Sequence, residues 1–355
     1  MNQDWNDFLT LQGARYDSPD GLDFGNPTDE LASAQSATIL TPLTDLGLIR
    51  ASGPDAAEFL HNLLTNDVKG LPVDGARRYG FCNAKGRLLA NFLMWHDGDD
   101  LIIALSADLH AAILKKLSMF ILRSKVKLSD ASNDRVLLGI SGPLAETAVT
   151  EVSSLPAAAL TLCQSDTGQT IRLGDQRFLL SLAAAAAPAT WQKLATHARP
   201  AGLSAWHWLE IVAGLPRITA ATQEEFIPQM VNYELIGGVS FTKGCYPGQE
   251  IVARTQYLGK IKRRMYRAHL ENGIPLAGAH LYAPETEEQS CGRVVNVAPA
   301  PQGGNDVLAV IQATCADAGE VHLDNPTGPR LYFQPLPYDK EINKEAPPSR
   351  GDQSA

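Results

Sequence analysis

The residues best placed to do chemistry in this chain run from Lys243 to Glu250, Lys-Gly-Cys-Tyr-Pro-Gly-Gln-Glu. Two glycines and a proline within so short a stretch dictate a tight backbone path. Pro247 suits the first position of a helix that continues through Glu250, Ile251 and Arg254. Cys245 then stands just ahead of the helix's positive end, with Lys243 as a second cation nearby, and both favour a thiolate. The segment predicts a lowered thiol pKa and a reactive sulfur at Cys245, supported by Lys243. The alternative is a buried cysteine in a Gly-rich turn.

The other four cysteines, Cys82, Cys163, Cys291 and Cys315, stand in apolar or strand-like surroundings and read as core or surface residues. An odd number of widely spaced cysteines with no Cys-x-x-Cys pair argues against a disulfide framework or a thiol-only zinc site, and fits a reducing compartment. Between 243 and 267 the chain carries seven basic residues, Lys243, Arg254, Lys260, Lys262, Arg263, Arg264 and Arg267, against Glu250 alone. In a protein of net charge −9, such a concentration either holds an anion or forms a solvated strand face. The net charge itself speaks against general adhesion to nucleic acid or an anionic membrane. Upstream, Trp206 and Trp208 flank His207 before Gly214-Leu215-Pro216. An indole can stack on a flat heteroaromatic ligand or anchor a helix in a core, and both readings stay open. His207 reads as a packed or surface residue, since no second histidine stands at metal-binding spacing. No phosphate loop, dinucleotide fingerprint, Gly-x-Ser-x-Gly elbow or His-Glu-x-x-His motif is present.

These residues need a scaffold, and the pattern predicts an α+β one. The apolar run Leu46–Ala51 reads as a strand, followed by Ser52-Gly53-Pro54-Asp55-Ala56 and an amphipathic helix through Leu64. The same phrase returns as Val136–Ile140, Ser141-Gly142-Pro143-Leu144-Ala145 and a second helix. Serine before proline is good helix-opening chemistry, and the repetition predicts two related α+β units. Strands are expected near 76–82, 87–95, 101–106 and 125–129, with a helix near 108–122. Thr170–Leu173 and Arg177–Leu182 should form a hairpin, and 188–198 a helix. From about 261 the segments Met265–Leu270, Arg293–Val297, Val307–Ile311 and Leu331–Gln334, separated by Gly, Pro and Asn turns, suggest a small barrel or sandwich. Residues 1–36 read as a loosely attached arm and 339–355 as a disordered tail. No run approaches the roughly 20 apolar residues of a membrane span, and the N-terminus lacks a basic lead into an apolar stretch, so a cytoplasmic protein is expected.

The stretch Phe226-Ile227-Pro228-Gln229, Asn232, Gly237-Gly238-Val239-Ser240-Phe241-Thr242 and Lys243 to Glu250, continued by Val252-Ala253-Arg254, closely resembles the signature of YgfZ-type folate-binding proteins. Gly53-Pro54-Asp55-Ala56, Phe59-Leu60, Thr65-Asn66-Asp67-Val68 and Asn83-Ala84-Lys85-Gly86-Arg87 resemble that family's N-terminal blocks. The family in turn is similar to the glycine cleavage T-protein, an aminomethyltransferase. The resemblance implies a three-domain ring around a central folate opening: 37–130 with about 206–258 as the folate-binding unit, 131–205 as the second, and 259–338 as a C-terminal β-barrel. It implies tetrahydrofolate or a derivative as cofactor, with Trp206, Tyr246, Gln249, Arg254 and Asn91 as contacts, and no resident metal. It implies a role supporting iron–sulfur proteins, including the radical enzymes that methylthiolate transfer RNA, with Cys245 as the residue tied to that role. Iron–sulfur clients are then the partners, and transfer RNA only an indirect beneficiary.

Two departures bear on chemistry. Where the T-protein carries an acidic pair that includes its catalytic aspartate, this chain has Ala90 and Asn91, neither a carboxylate base. Where many relatives have Glu before Ala-Gly, this chain has Val212. Aminomethyl transfer of the T-protein type is therefore not expected. It remains the alternative to the accessory role, and a thiol oxidoreductase would need a resolving cysteine.

Overall fold

The Ser-Gly-Pro phrase and its repeat are the key to the architecture. The computed structural model describes residues 2–18, 21–257, 261–286 and 288–339. Lys260 and the expected tail beyond Asp339 lie outside the described residues. The chain opens with α1 (Gln3–Leu11), the short hairpin β1 (Arg15–Ser18) and β2 (Gly21–Asp23), and α2 (Pro27–Ser36). The expected loose arm is thus ordered, because its apolar residues have somewhere to go. Trp5, Leu9 and Leu22 are buried in the core of the second α+β unit, and Leu31 in that of the first.

There follow β3 (Ile39–Pro42), β4 (Leu46–Ser52), α3 (Ala56–His61), β5 (Ala76–Cys82), β6 (Leu88–Asp97), β7 (Asp100–Ser106), α4 (Ala107–Ser118) and β8 (Lys127–Asp130). The second phrase begins β9 (Arg135–Ser141), α5 (Ala145–Thr150), β10 (Leu162–Ser165), β11 (Gly168–Gly174), β12 (Arg177–Ala183), α6 (Ala187–Leu194) and β13 (Arg199–Pro200). One sheet has the order β5-β6-β7-β4-β8, the other β10-β11-β12-β9-β3-β13. Counted from its Ser-Gly-Pro strand, each unit has the same core order, a three-strand meander folding back onto the first strand, with a further strand on that strand's other side; in the second sheet β13 then pairs with this further strand. That further strand is exchanged. β3, which leads into β4, joins the second sheet beside β9, and β8, which leads into β9, forms the edge of the first beside β4. Each unit thus takes in a strand from the flank of the other.

The exchange explains the repeated glycine. Gly53 and Gly142 adopt φ of +108° and +126°, and a Cβ on them would lie 2.3 Å from the Lys125 carbonyl oxygen and 2.2 Å from that of Ala37, just before the two exchanged strands. Only glycine tolerates both the left-handed backbone and the close approach. The expected capping does not occur. Both helices start at the alanine after the turn, and neither has a side-chain cap.

The helix α7 (Leu203–Val212) packs against α2, β2 and β3 and, on its other flank, against the C-terminal sheet. Its N-terminus has no cap of its own. Glu30, a buried residue of α2, accepts from the Gly202 amide at 2.8 Å, which sets a carboxylate at the positive end of the helix. After α8 (Gln249–Tyr257), the last unit comprises β14 (Arg263–Leu270), β15 (His280–Tyr282), β16 (Gly292–Pro299), β17 (Asn305–Gln312), α9 (Ala313–Ala318), β18 (His322–Leu323) and β19 (Tyr332–Gln334). Its sheet runs β18-β15-β16-β17-β14-β19, a curled half-barrel where the sequence pattern suggests a small barrel or sandwich. Asp306, fully buried on β17, accepts from Trp208 Nε1 at 3.0 Å, Arg267 at 2.9 Å and His269 Nδ1 at 2.8 Å, tying this unit to α7. No helix among the described residues is long and apolar enough to cross a membrane.

Candidate functional site

Two neighbouring sites emerge, joined by β5. The first is a cavity between the two sheets. Residues four apart share a helix face, so α7 turns Trp206 and Glu210 the same way, and both line this cavity with Arg78, Asn91, Arg177, Arg217 and Tyr233. Trp206 is 1% exposed. Its indole sits over Gly139 of β9, where a Cβ would come within 2.5 Å of the ring. A glycine inside an apolar strand marks such an approach. The Arg177 guanidinium stacks on the indole 5.5 Å from its centroid and donates to the Leu209 carbonyl oxygen at 2.9 Å.

Charge in this cavity is out of balance. Arg217 bridges the carboxylates of Asp45 and Glu210. It holds Asp45 well below the usual carboxylate range despite burial, and Asp45 also receives His207 at 2.6 Å. Among the described residues Arg78 and Arg177 have no such partner. Burial lowers the proton affinity of both, and Arg177 falls to about 10, its neighbour Arg78 adding to the effect while Glu210 only partly opposes it. Guanidiniums drawn out of solvent without carboxylates of their own favour an anionic occupant. A larger cavity of about 210 Å³, lined by Trp5, His110, Asp130 and Arg135 among others, contains neither the indole nor the arginine pair. We place the ligand site at the smaller, of about 110 Å³ and open on one side, because flat and cationic surfaces converge there.

The second site is the Cys245 loop. Thr65 donates to the Gly238 carbonyl oxygen at 2.6 Å and Asn66 to that of Gly237 at 2.7 Å, and Ser240 returns an amide to Thr65 at 3.0 Å. Gly248, at φ +81°, rests on the Asn83–Gly86 turn, with space for no Cβ. That conformation breaks the run from Pro247 into the helix. α8 begins at Gln249, so Pro247 is not its first residue and Cys245 does not directly precede its N-terminus. Cys245 is exposed, whereas Cys82, Cys291 and Cys315 are buried. Burial pushes the Cys82 thiol up to about 12. Lys243 donates to the carbonyl oxygens of His61 and of Leu64, the latter at 2.7 Å, and lies 4.9 Å from the Tyr246 ring centroid. Desolvation lowers its pKa from 10.5 to about 8, against the pull of Asp67 and Cys245.

The predicted residues thus divide. Trp206 and Asn91 reach the cavity. Cys245, Lys243 and Tyr246 form the loop site, beside which Gln249 opens α8 and Arg254 stands exposed, and none of these five lines the cavity. Arg78 and Cys82 mark the two sites on β5, four residues or about 13 Å apart along a strand. Asn91 is spent on structure, donating to the Pro216 carbonyl oxygen and accepting from the Ile218 amide, both at 2.8 Å. Trp208 is the core anchor, through Asp306. The basic run does not act as one patch, because Arg264 is buried against Glu234 and Arg267 against Asp306. Sequence reasoning missed Arg78, Arg177, Glu210 and Arg217. The signal for Arg177 was an arginine heading an otherwise apolar strand. Glu210 supplies the cavity carboxylate that Val212 lacks.

The comparisons agree with this architecture. Residues 14–236 match the family model described as the GCVT N-terminal domain. The chain is 31% identical over 319 residues to the tRNA-modifying protein YgfZ of Serratia proteamaculans, covering 88% of this chain and 96% of that one. It is 32% identical over 313 residues to the tRNA-modifying protein YgfZ of Yersinia pestis, covering 87% and 94%. The crystal structure of the glycine cleavage system aminomethyltransferase T from Bartonella henselae has the same fold, with a TM-score of 0.77 at 19% identity over 95% of this chain and 98% of that one. A mixed α/β chain with the GCVT N-terminal domain, aligned nearly end to end with YgfZ proteins, belongs to the YgfZ family.

Proposed function

We propose that this protein binds a folate in the cavity between its two sheets, the central opening of a three-domain ring, and acts in the cytoplasm as an accessory factor for iron–sulfur proteins. Among its clients would be radical enzymes that methylthiolate transfer RNA, with Cys245 as the reactive centre. The carrying observation is the pairing of a buried indole with a buried arginine, Arg177, and a half-buried one, Arg78, neither of which has a carboxylate of its own among the described residues. A folate fits that lining: the Trp206 indole contributes apolar ring surface to the cavity wall, and Arg78 and Arg177 offer charge to the ligand's anionic groups. At about 110 Å³, the enclosed part is of the order that takes a single aromatic ring, so the remainder of the ligand would leave through the open mouth. Bound folate would supply one-carbon chemistry, and the chain's own part is to orient it and exclude water. The names of the YgfZ relatives support a link to transfer-RNA modification.

Glu210 gives the second reading, a one-carbon transferase, its one support, since it places a carboxylate at the cavity. Its engagement by Arg217 favours a binding role over that of a free base. Deleting the gene in its host and complementing with wild type or Cys245→Ala, while transfer-RNA methylthiolation is assayed, separates the readings. Loss on deletion that only wild type restores is expected. Full rescue by Cys245→Ala would remove the thiol from the function. No loss on deletion, together with glycine-dependent methylene transfer to tetrahydrofolate, would favour the transferase.

A further inference from the structure

The loop carrying Cys245 lies against the end of α3, and the residue it meets there is a histidine. His61 closes that helix. Its carbonyl oxygen receives Lys243, and its ring, 12% exposed, stands between the loop and Asp67. Nδ1 is 3.1 Å from Asp67 Oδ1, within ion-pair distance though off the axis of a straight hydrogen bond. Nε2 faces the other way, where a Cβ on Gly244 would come within 3.8 Å of it. Among the described residues Nε2 has no hydrogen-bond partner, and the next residue along the loop is the exposed Cys245.

The groups facing the imidazole are Asp67 from the segment after α3, Lys243 from the loop, and Glu58 and Lys69, which pair with each other. Burial first, then the Lys243 charge, pushes the imidazole below its usual range, with Asp67 opposing. With Nδ1 beside a carboxylate and Nε2 open toward the loop at Gly244, the ring is arranged to take up a proton on the side from which Cys245 follows.

We propose that His61, oriented by Asp67, accepts the thiol proton of Cys245 when the loop sulfur attacks a soft electrophile. The S–H bond breaks and its proton passes to Nε2. The sulfur electron pair forms the new bond, the leaving group departs with its own pair, and Asp67 faces the resulting imidazolium. This rests on the reading of Cys245 as the reactive centre and assigns the base that reading lacked.

The test follows alkylation of Cys245 by iodoacetamide in the full chain, by peptide mass spectrometry, for wild type, His61→Gln, His61→Ala and Asp67→Asn. His61→Gln keeps the carbonyl that holds Lys243. From about pH 6 to about pH 10, the wild-type rate should exceed that of His61→Gln about tenfold at neutral pH and converge with it at the alkaline end. Added imidazole should restore part of the rate to His61→Ala, and Asp67→Asn should shift the pH profile. A fast wild type with an identical His61→Gln profile overturns the role of His61 and leaves the reactive-cysteine reading standing. A wild-type rate no faster than that of an unstructured peptide thiol overturns both.

Discussion

Arg177, buried, and Arg217, mostly so, line one cavity, yet they should respond very differently to the same replacement by methionine. Arg217 joins Asp45 and Glu210, so Arg217→Met takes the shared cation from two carboxylates and leaves Asp45 only His207. Breaking a buried pair by removing one member costs about 3–5 kcal/mol. Arg177 carries a penalty instead. The fall of its pKa to about 10 means that keeping it charged in the folded state costs about 3 kcal/mol. Against this relief, Arg177→Met abandons the Leu209 carbonyl oxygen, worth about 1–3 kcal/mol, and a stacked cation–π contact worth about 1 kcal/mol. The net change is therefore about zero, within about 1 kcal/mol either way. In a chain of this size, a kcal/mol corresponds to roughly 2 °C in melting temperature. Arg217→Met should lower the melting temperature by about 6–10 °C and Arg177→Met by no more than about 2 °C. Titration with tetrahydrofolate should show the complement, affinity falling about tenfold or more in Arg177→Met because an anion loses its cation. If Arg177→Met destabilised as much as Arg217→Met, the guanidinium would be a satisfied structural group and the charge argument for the cavity would fail.

Two further outcomes follow from the loop site. Lys243 binds its proton less well when folded, its pKa lying near 8 rather than 10.5. The penalty is present in full below about pH 8, and because the unfolded chain then holds more protons, stability should rise from about pH 8 to about pH 10.5. Lys243→Met should lack that rise in melting experiments, and an equal rise in both proteins would place the titration elsewhere. Gly248→Ala puts a methyl group 2.4 Å from the Asn83 carbonyl oxygen at a φ of +81°. It should cost about 2 kcal/mol or more and change the alkylation rate of Cys245. Wild-type melting and reactivity in this variant would show that the loop does not depend on its seat at residues 83–86.

Much of this molecule could be read in one dimension, because local rules govern it. The strands from Leu46 to Leu182 and the turn at Asp175-Gln176 follow hydrophobic alternation and turn chemistry, which neighbouring residues set. The motif blocks also proved to be physically one object. Thr65-Asn66 pins Gly237-Gly238, and Asn83–Gly86 seats Gly248, so segments far apart in sequence build the Cys245 loop together. The N-terminal segment misled because its apolar residues are sparse and short-range pattern cannot show a distant core. Trp5 and Leu9 are buried by α6, and Glu30 caps a helix that starts at 203.

The sequence alone carried the residue types at stake, a cysteine beside a lysine, an indole ahead of Gly-Leu-Pro and a glycine in each repeated turn, since these depend only on composition and spacing. Which of them meet was settled in three dimensions. The exchange of β3 and β8 brings two sheets together so that Arg78 and Arg177, a hundred residues apart, face one cavity with Trp206. It also leaves the predicted contacts Tyr246, Gln249 and Arg254 outside that cavity, and turns His61 toward Gly244. Such pairings depend on long-range strand register and on where charge ends up desolvated, and no local window of sequence encodes either.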